Sequence, residues 1–266
     1  MRRLSFNQAT ARHWPLPELV AGCAAAGIGG VGLWRELLGP RGTARTAALV
    51  RDAGLAVTSL CGGSLGAAGW FDDIRRAIDD AAALGAPALV LVPGGLPDGS
   101  RDLDGARARV GGAIGDLVPH ALAAGVRLAI EPLHPMYAAD LGVVSTLDQA
   151  LALTAPYPAR AVGVALDTYH LWWDDRVWDA IARAGRDGRI TCFQVADWVT
   201  PLPAGALTGR ALPGAGCVDL RRFAAAVAAS GYPGPVEVEV FNEDLWRRPG
   251  PEILAATVDA YRVHVA

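Results

Sequence analysis

Residues 161–175 read AVGVALDTYHLWWDD, and the reading of this stretch decides the fold. From Val162 to Leu166 the chain is apolar apart from one glycine, which is the pattern of a short buried strand. It then runs into a carboxylate, Asp167, with His170 three residues on and Trp172 and Trp173 directly after. An ionised group at the end of a buried strand costs several kcal/mol unless something compensates it. The chain therefore has to supply a partner for Asp167.

Seven further runs of similar length flank this one. They are LSFN (4–7), GVGLW (30–34), AVTSLC (56–61), ALVLVP (88–93), VRLAIE (126–131), ITCFQV (190–195) and VEVEV (236–240). Between them lie alanine-rich amphipathic stretches such as LPELVAGCAAAG, FDDIRRAIDDAAALG and LRRFAAAVAASG, each closing on a glycine suited to a left-handed helix end. Pro15 and Pro17 stand where the first helix should begin, a position that tolerates proline. Alternating strands and helices imply parallel strands joined by right-handed crossovers. Eight such units in 266 residues predict an α/β protein, a (β/α)8 barrel, with residues 1–266 as one domain. The rival open sheet would place a GxGxxG turn after the first strand, where LSFNQATARH has no glycine.

Composition excludes several functional classes. Apolar residues are 52% and charged residues 19% of the chain, which suits a large core. A net charge of −3 gives no footprint for nucleic acid or an anionic membrane surface. No apolar run reaches the roughly 18–20 residues of a membrane span, and the start, MRRLSFNQATARHW, lacks the apolar core of a signal peptide. Cys23, Cys61, Cys192 and Cys217 are scattered, with no CxxC pair, as expected of reduced thiols in a cytoplasmic protein.

In a barrel of this kind the chemistry sits at the C-terminal ends of the strands. Strand five ends at Glu131, strand six at Asp167, strand seven carries Gln194 and strand eight carries Glu239. A lone carboxylate at a strand end commonly caps the next helix. Three converging carboxylates would instead repel one another and raise each other's pKa. One divalent cation resolves both the repulsion and the burial, and oxygen donors suit Mg2+ or Mn2+. The expected ligands are therefore Glu131, Asp167, Gln194 and Glu239.

The pieces IEPLHP, DTYHLWWD, FQVADW, RALPGAGCVDL and GYPGPVEVEVF resemble the xylose isomerase-like TIM barrels, the sugar phosphate isomerase/epimerase superfamily. That group includes ketose 3-epimerases, inosose isomerases and dehydratases, and 3-dehydroshikimate dehydratases. The resemblance implies a Glu, Asp, His, Glu metal set, matched here by Glu131, Asp167, Gln194 and Glu239. Gln194 departs from the usual histidine, and the all-oxygen set favours Mg2+ or Mn2+ over Zn2+. The resemblance also implies that His170 faces substrate, that His134 is a polar substrate contact, and that Arg210, in TGRALPGAG, reaches over the mouth. Asp197 could pair with Arg210 or orient the ligands, and Trp198 could wall the pocket.

Trp34, Trp70, Trp172, Trp173 and Trp246 fall in mouth-end loops, where they stack on a cyclic ligand, cover the barrel or meet a second subunit. Glu36 reads as a helix cap near the mouth, and Asp174 and Asp175 as the start of the next helix. The expected activity is a metal-dependent isomerase or epimerase of a keto-sugar or cyclitol. Proton transfer through an enediolate would fall to Glu131 and Glu239, with His170 and His134 as the alternative carriers. The alternatives are a metal-dependent lyase or dehydratase of a 3-dehydroshikimate- or inosose-like substrate, or of an oxidised sugar conjugate, and a non-catalytic barrel that serves as a partner subunit. The abasic-DNA endonucleases of the superfamily use more histidine ligands than this chain offers, so no nucleic-acid partner is expected. A homo-oligomer is compatible with the resemblance.

Overall fold

The computed structural model describes residues 1–66 and 69–266. Its strands are β1 (Leu4–Asn7), β2 (Gly30–Trp34), β3 (Ala56–Ser64), β4 (Ala88–Val92), β5 (Arg127–Ile130), β6 (Val162–Asp167), β7 (Ile190–Val195), β8 (Asp197–Trp198), β9 (Arg210–Ala211) and β10 (Val236–Val238). Strands β1 to β7 and β10 pair in parallel and close into a barrel, with β10 lying between β7 and β1. This is the (β/α)8 TIM barrel, with helices around the sheet. All eight expected strands form, the third longer and the fourth, fifth and last shorter than the sequence pattern suggests, so that Glu131 and Glu239 stand just past the ends of β5 and β10.

Residues two apart on a strand face the same way, and the barrel uses this sharply. Leu4 and Phe6 of β1, Val31 and Leu33 of β2, and Val236 and Val238 of β10 pack outward into the apolar layer beneath the helices. Each fully buried leucine, valine or phenylalanine there contributes about 1.5–3 kcal/mol. Ser5 and Asn7 on β1 and Glu237 on β10 point inward, where they bond to one another. The other side of the bore is filled by small apolar residues, Cys61, Ala88, Val90, Ala129, Ala165 and Cys192.

The helices begin and end where the sequence signals. Helix Leu16–Ala25 starts directly after Pro15, and Gly27, Gly85 and Gly231, which follow three of the helices, have φ of 69°, 70° and 83°. All four cysteines are free thiols, Cys217 exposed and the rest buried. Among the described residues no helix is long and apolar enough to cross a membrane.

Candidate active site

Strand ends β5, β6, β7 and β10 bring Glu131, Asp167, Gln194 and Glu239 to one end of the bore, all of them buried. Asp167 is shared between two tasks. Its Oδ1 accepts the Tyr169 N–H at 2.9 Å, capping the short helix Thr168–Leu171, and its Oδ2 accepts from Arg210 Nη1 at 2.7 Å. The same Arg210 nitrogen donates to Glu239 Oε2 at 3.0 Å. The sequence left capping and site chemistry as alternatives for Asp167, and its two oxygens divide them.

Arg210 reaches this point because β9 pairs antiparallel with β8, Trp198 opposite Arg210, and because Asn242 Nδ2 donates to the Arg210 carbonyl at 2.8 Å. The guanidinium lies 4.8 Å from the Tyr169 ring centroid and 4.9 Å from that of Phe241. Burial opposes its charge, but the carboxylates of Asp167, Glu239 and Glu131 outweigh that and raise its pKa. Its Nη2 stands 3.1 Å from His170 Nε2, while His170 Nδ1 accepts the backbone N–H of His134 at 3.2 Å. Burial and the adjacent guanidinium push the His170 pKa well down, so the ring is neutral. A neutral imidazole has one acceptor nitrogen, so it takes the guanidinium N–H at Nε2 in one tautomer and the His134 N–H at Nδ1 in the other.

The carboxylates move the other way. Burial, with Asp167 and Glu239 close by, pushes Glu131 well above the carboxylate range. Burial raises Asp167 against the opposing pull of Arg210. Glu239 is pushed up to about 7, chiefly by burial, with Arg210 opposing and Asp167 and Glu237 adding to it. Glu239 also accepts the Trp34 indole N–H at 3.2 Å.

A fourth buried carboxylate, Glu237, lies one layer deeper and was not singled out from the sequence. The signal was present in VEVEV, because Glu237 and Glu239 are two apart and must share a face. Among the described residues two sets of side chains bring ligand-type atoms within 4.8 Å of one another: Glu131 with Asp167 and His170, and Cys61 with Glu237 and Glu239. Among the described residues four buried side-chain oxygens have no protein hydrogen-bond partner, and two of them, Glu131 Oε1 and Gln194 Oε1, belong to this cluster.

A cavity of about 850 Å3 opens above this cluster, and Glu131, His170, Arg210 and Glu239 line its floor. One wall is aromatic, with Trp34, Phe241 and Trp246 in edge-to-face succession. Glu36 lines the cavity but caps no helix, while Asp174 does cap the turn ahead of helix Val177–Arg186 through the Arg176 N–H. His134 and Trp198 are not among the lining residues. Their rings stack on each other at 4.8 Å, so His134 reaches the site through its backbone N–H to His170. Asp197 does not pair with Arg210. Its carboxylate accepts the N–H groups of Trp198, Gly214 and Val218, which ties down the PGAG loop.

The family profile described as xylose isomerase-like TIM barrel matches residues 20–263. The crystal structure of protein SMc04130 from Sinorhizobium meliloti 1021 superposes with a TM-score of 0.93 at 43% identity, covering 99% of this chain and 98% of that one. The IolI protein with a bound zinc atom gives 0.83 at 19% identity, with 99% and 98% covered. A D-allulose 3-epimerase from Methylomonas sp. gives 0.73 at 19% identity, with 99% and 98% covered. No curated protein matches the chain significantly in sequence.

Proposed function

Because the chain belongs to the xylose isomerase-like TIM barrel family, we propose that it is a divalent-metal-dependent isomerase or epimerase of a keto-sugar or cyclitol. The observation that carries this reading is a charge imbalance. Glu131, Asp167, Glu237 and Glu239 are buried within one cluster, and Arg210 is the one buried arginine beside them among the described residues. A single guanidinium leaves this set short of positive charge, and buried carboxylates need partners. The donor set fits a divalent ion, since Glu131 Oε1 and Gln194 Oε1 are buried oxygens with no protein partner. Glu131, Asp167, Gln194 and Glu239 would hold it, and the oxygen-only set favours Mn2+ or Mg2+. The zinc in IolI and the sugar activity of the allulose epimerase, on the same fold, support the reading.

A divalent cation held by Glu131, Asp167, Gln194 and Glu239 would supply the polarisation of a substrate carbonyl that acidifies the neighbouring C–H. Glu239 then takes that proton on a carboxylate oxygen, and Glu131 carries the second proton. Arg210 holds Asp167 and Glu239 in place through Nη1 and His170 through Nη2. His170 and Arg210, joined through Nε2 and Nη2 at 3.1 Å, both line the cavity and face a bound substrate together. The aromatic wall of Trp34, Phe241 and Trp246 keeps water from the reacting face and suits the apolar face of a ring.

Gln194 favours a second reading, a lyase that expels a β-hydroxyl from a cyclic keto substrate. NMR of a keto-sugar and cyclitol panel in deuterated water, after metal analysis of the purified protein, tests both. Solvent deuterium next to a carbonyl supports proton abstraction, and the product separates rearrangement from loss of water. Glu239→Gln should abolish the exchange, and exchange that survives in this variant removes Glu239 as the base.

A further inference from the structure

We propose that Glu237 is a positioning residue that fixes the side-chain amide of Gln194 so that its carbonyl oxygen, not its NH2, is left for the cation. The proposal rests on the metal-site reading above and deepens it.

A primary amide presents two ends of the same size and opposite polarity. Which end meets a cation is decided by what holds the other. Gln194 Nε2 lies 3.0 Å from Glu237 Oε1, 3.4 Å from Glu239 Oε1 and 3.8 Å from Cys61 Sγ, and Gln194 Oε1 has no partner. Reversing the amide would press its oxygen against two carboxylates. It would also turn NH2 toward the cation, so both ends would become repulsive.

Glu237 is in turn held from two other strands, β1 and β3. Asn7 Nδ2 donates to it at 2.8 Å, Thr58 Oγ1 at 2.8 Å, Ser59 Oγ at 3.0 and 2.9 Å to its two oxygens, and Ser5 Oγ at 3.4 Å. A side chain fixed by this many donors has little freedom to yield if the amide turns. A glutamine ligand has to be held by its NH2 if its oxygen is to face the ion, and Glu237 supplies the acceptor.

Chelator-stripped protein titrated with Mn2+ by calorimetry provides the test. Glu237→Gln and Glu237→Met both remove the charge, but only Met removes the acceptor facing Gln194. We expect Glu237→Met to bind Mn2+ about 10–100-fold more weakly than Glu237→Gln, the range seen when a partner of a metal ligand is lost. In a Gln194→Ala background the two should bind alike, since no amide remains to orient. Equal affinity of the two variants with Gln194 present overturns the proposal, as does a difference of the same size without Gln194. Should Glu237→Met fail to fold, Glu237→Asp keeps the charge but withdraws the carboxylate from the amide. A loss of about 10-fold or more in that variant supports the proposal, and wild-type affinity overturns it. Wild-type protein that binds no Mn2+ overturns this proposal together with the metal-site reading, whereas wild-type binding with no Met–Gln difference overturns this proposal alone.

Discussion

A β-carbon on Gly32 would lie 2.5 Å from the carboxyl carbon of Glu237, so the glycine of β2 and the glutamate of β10 share one volume inside the barrel. Gly32 is therefore a steric requirement of the buried acid. Gly32→Ala should destabilise the protein by about 1–3 kcal/mol, the usual cost of overpacking a filled interior. It should also weaken Mn2+ binding by displacing Glu237. Denaturant unfolding and calorimetry measure the two effects, and an alanine variant of wild-type stability would show that Glu237 has room to move.

The pH dependence of the metal-free protein follows from Glu239. Its carboxyl is raised from 4.5 to about 7 in the fold, so between these values the folded state holds a proton that the unfolded state has lost. Stability contributed by the protonated group is complete below about 4.5, is lost as pH rises through about 7 and is level above that. Glu131 and Asp167 shift in the same direction and extend the decline. Melting temperature with chelator should drop from pH 5 to pH 8, and Mn2+ should flatten the slope by favouring the ionised carboxylates. A metal-free protein that grows more stable across this range contradicts the assignment.

Arg210 joins two carboxylates through one nitrogen and faces His170 with the other. Lysine keeps the charge but has no fork to span those positions. Arg210→Lys should retain Mn2+ affinity within a few-fold and lose activity by about 10²-fold or more, the scale set by removal of a positioned polar group. Parallel loss of metal and activity would instead make Arg210 chiefly a brace for the ligands.

Replacing Gln194 with histidine substitutes a nitrogen donor for an oxygen donor. Zn2+ affinity should rise relative to Mn2+ by about 10-fold or more, because imidazole suits zinc better than carbonyl oxygen does. Competition titration with both ions gives the ratio. An unchanged ratio would mean that residue 194 does not touch the cation.

The barrel was legible because its strands are bounded by clear turn and helix signals, and because two-residue alternation is strict in LSFN and VEVEV. Strand ends pointed to Glu131, Asp167, Gln194 and Glu239, and the structure brings these four together. The depth of the site was harder to read. Glu237, Ser5, Asn7 and Ser59 come from β10, β1 and β3, and their meeting depends on barrel closure and stagger rather than on local pattern. The positions of His134, Trp198 and Asp197 depend on how the loops after β5 and β7 fold over each other. Their composition alone suits a pocket wall and a brace equally well.

Trp34 donates its indole N–H both to Glu239 and to Asn7, at 3.2 and 3.0 Å, and so couples a chromophore to the carboxylate cluster. Its emission is then sensitive to the ionisation of Glu239 and to any ion or ring that enters beside it. The molecule carries a built-in optical reporter, and Trp34→Phe would silence that signal while leaving the other seven indoles as background. Loading of the centre can be followed in real time, unlabelled, before any substrate is known.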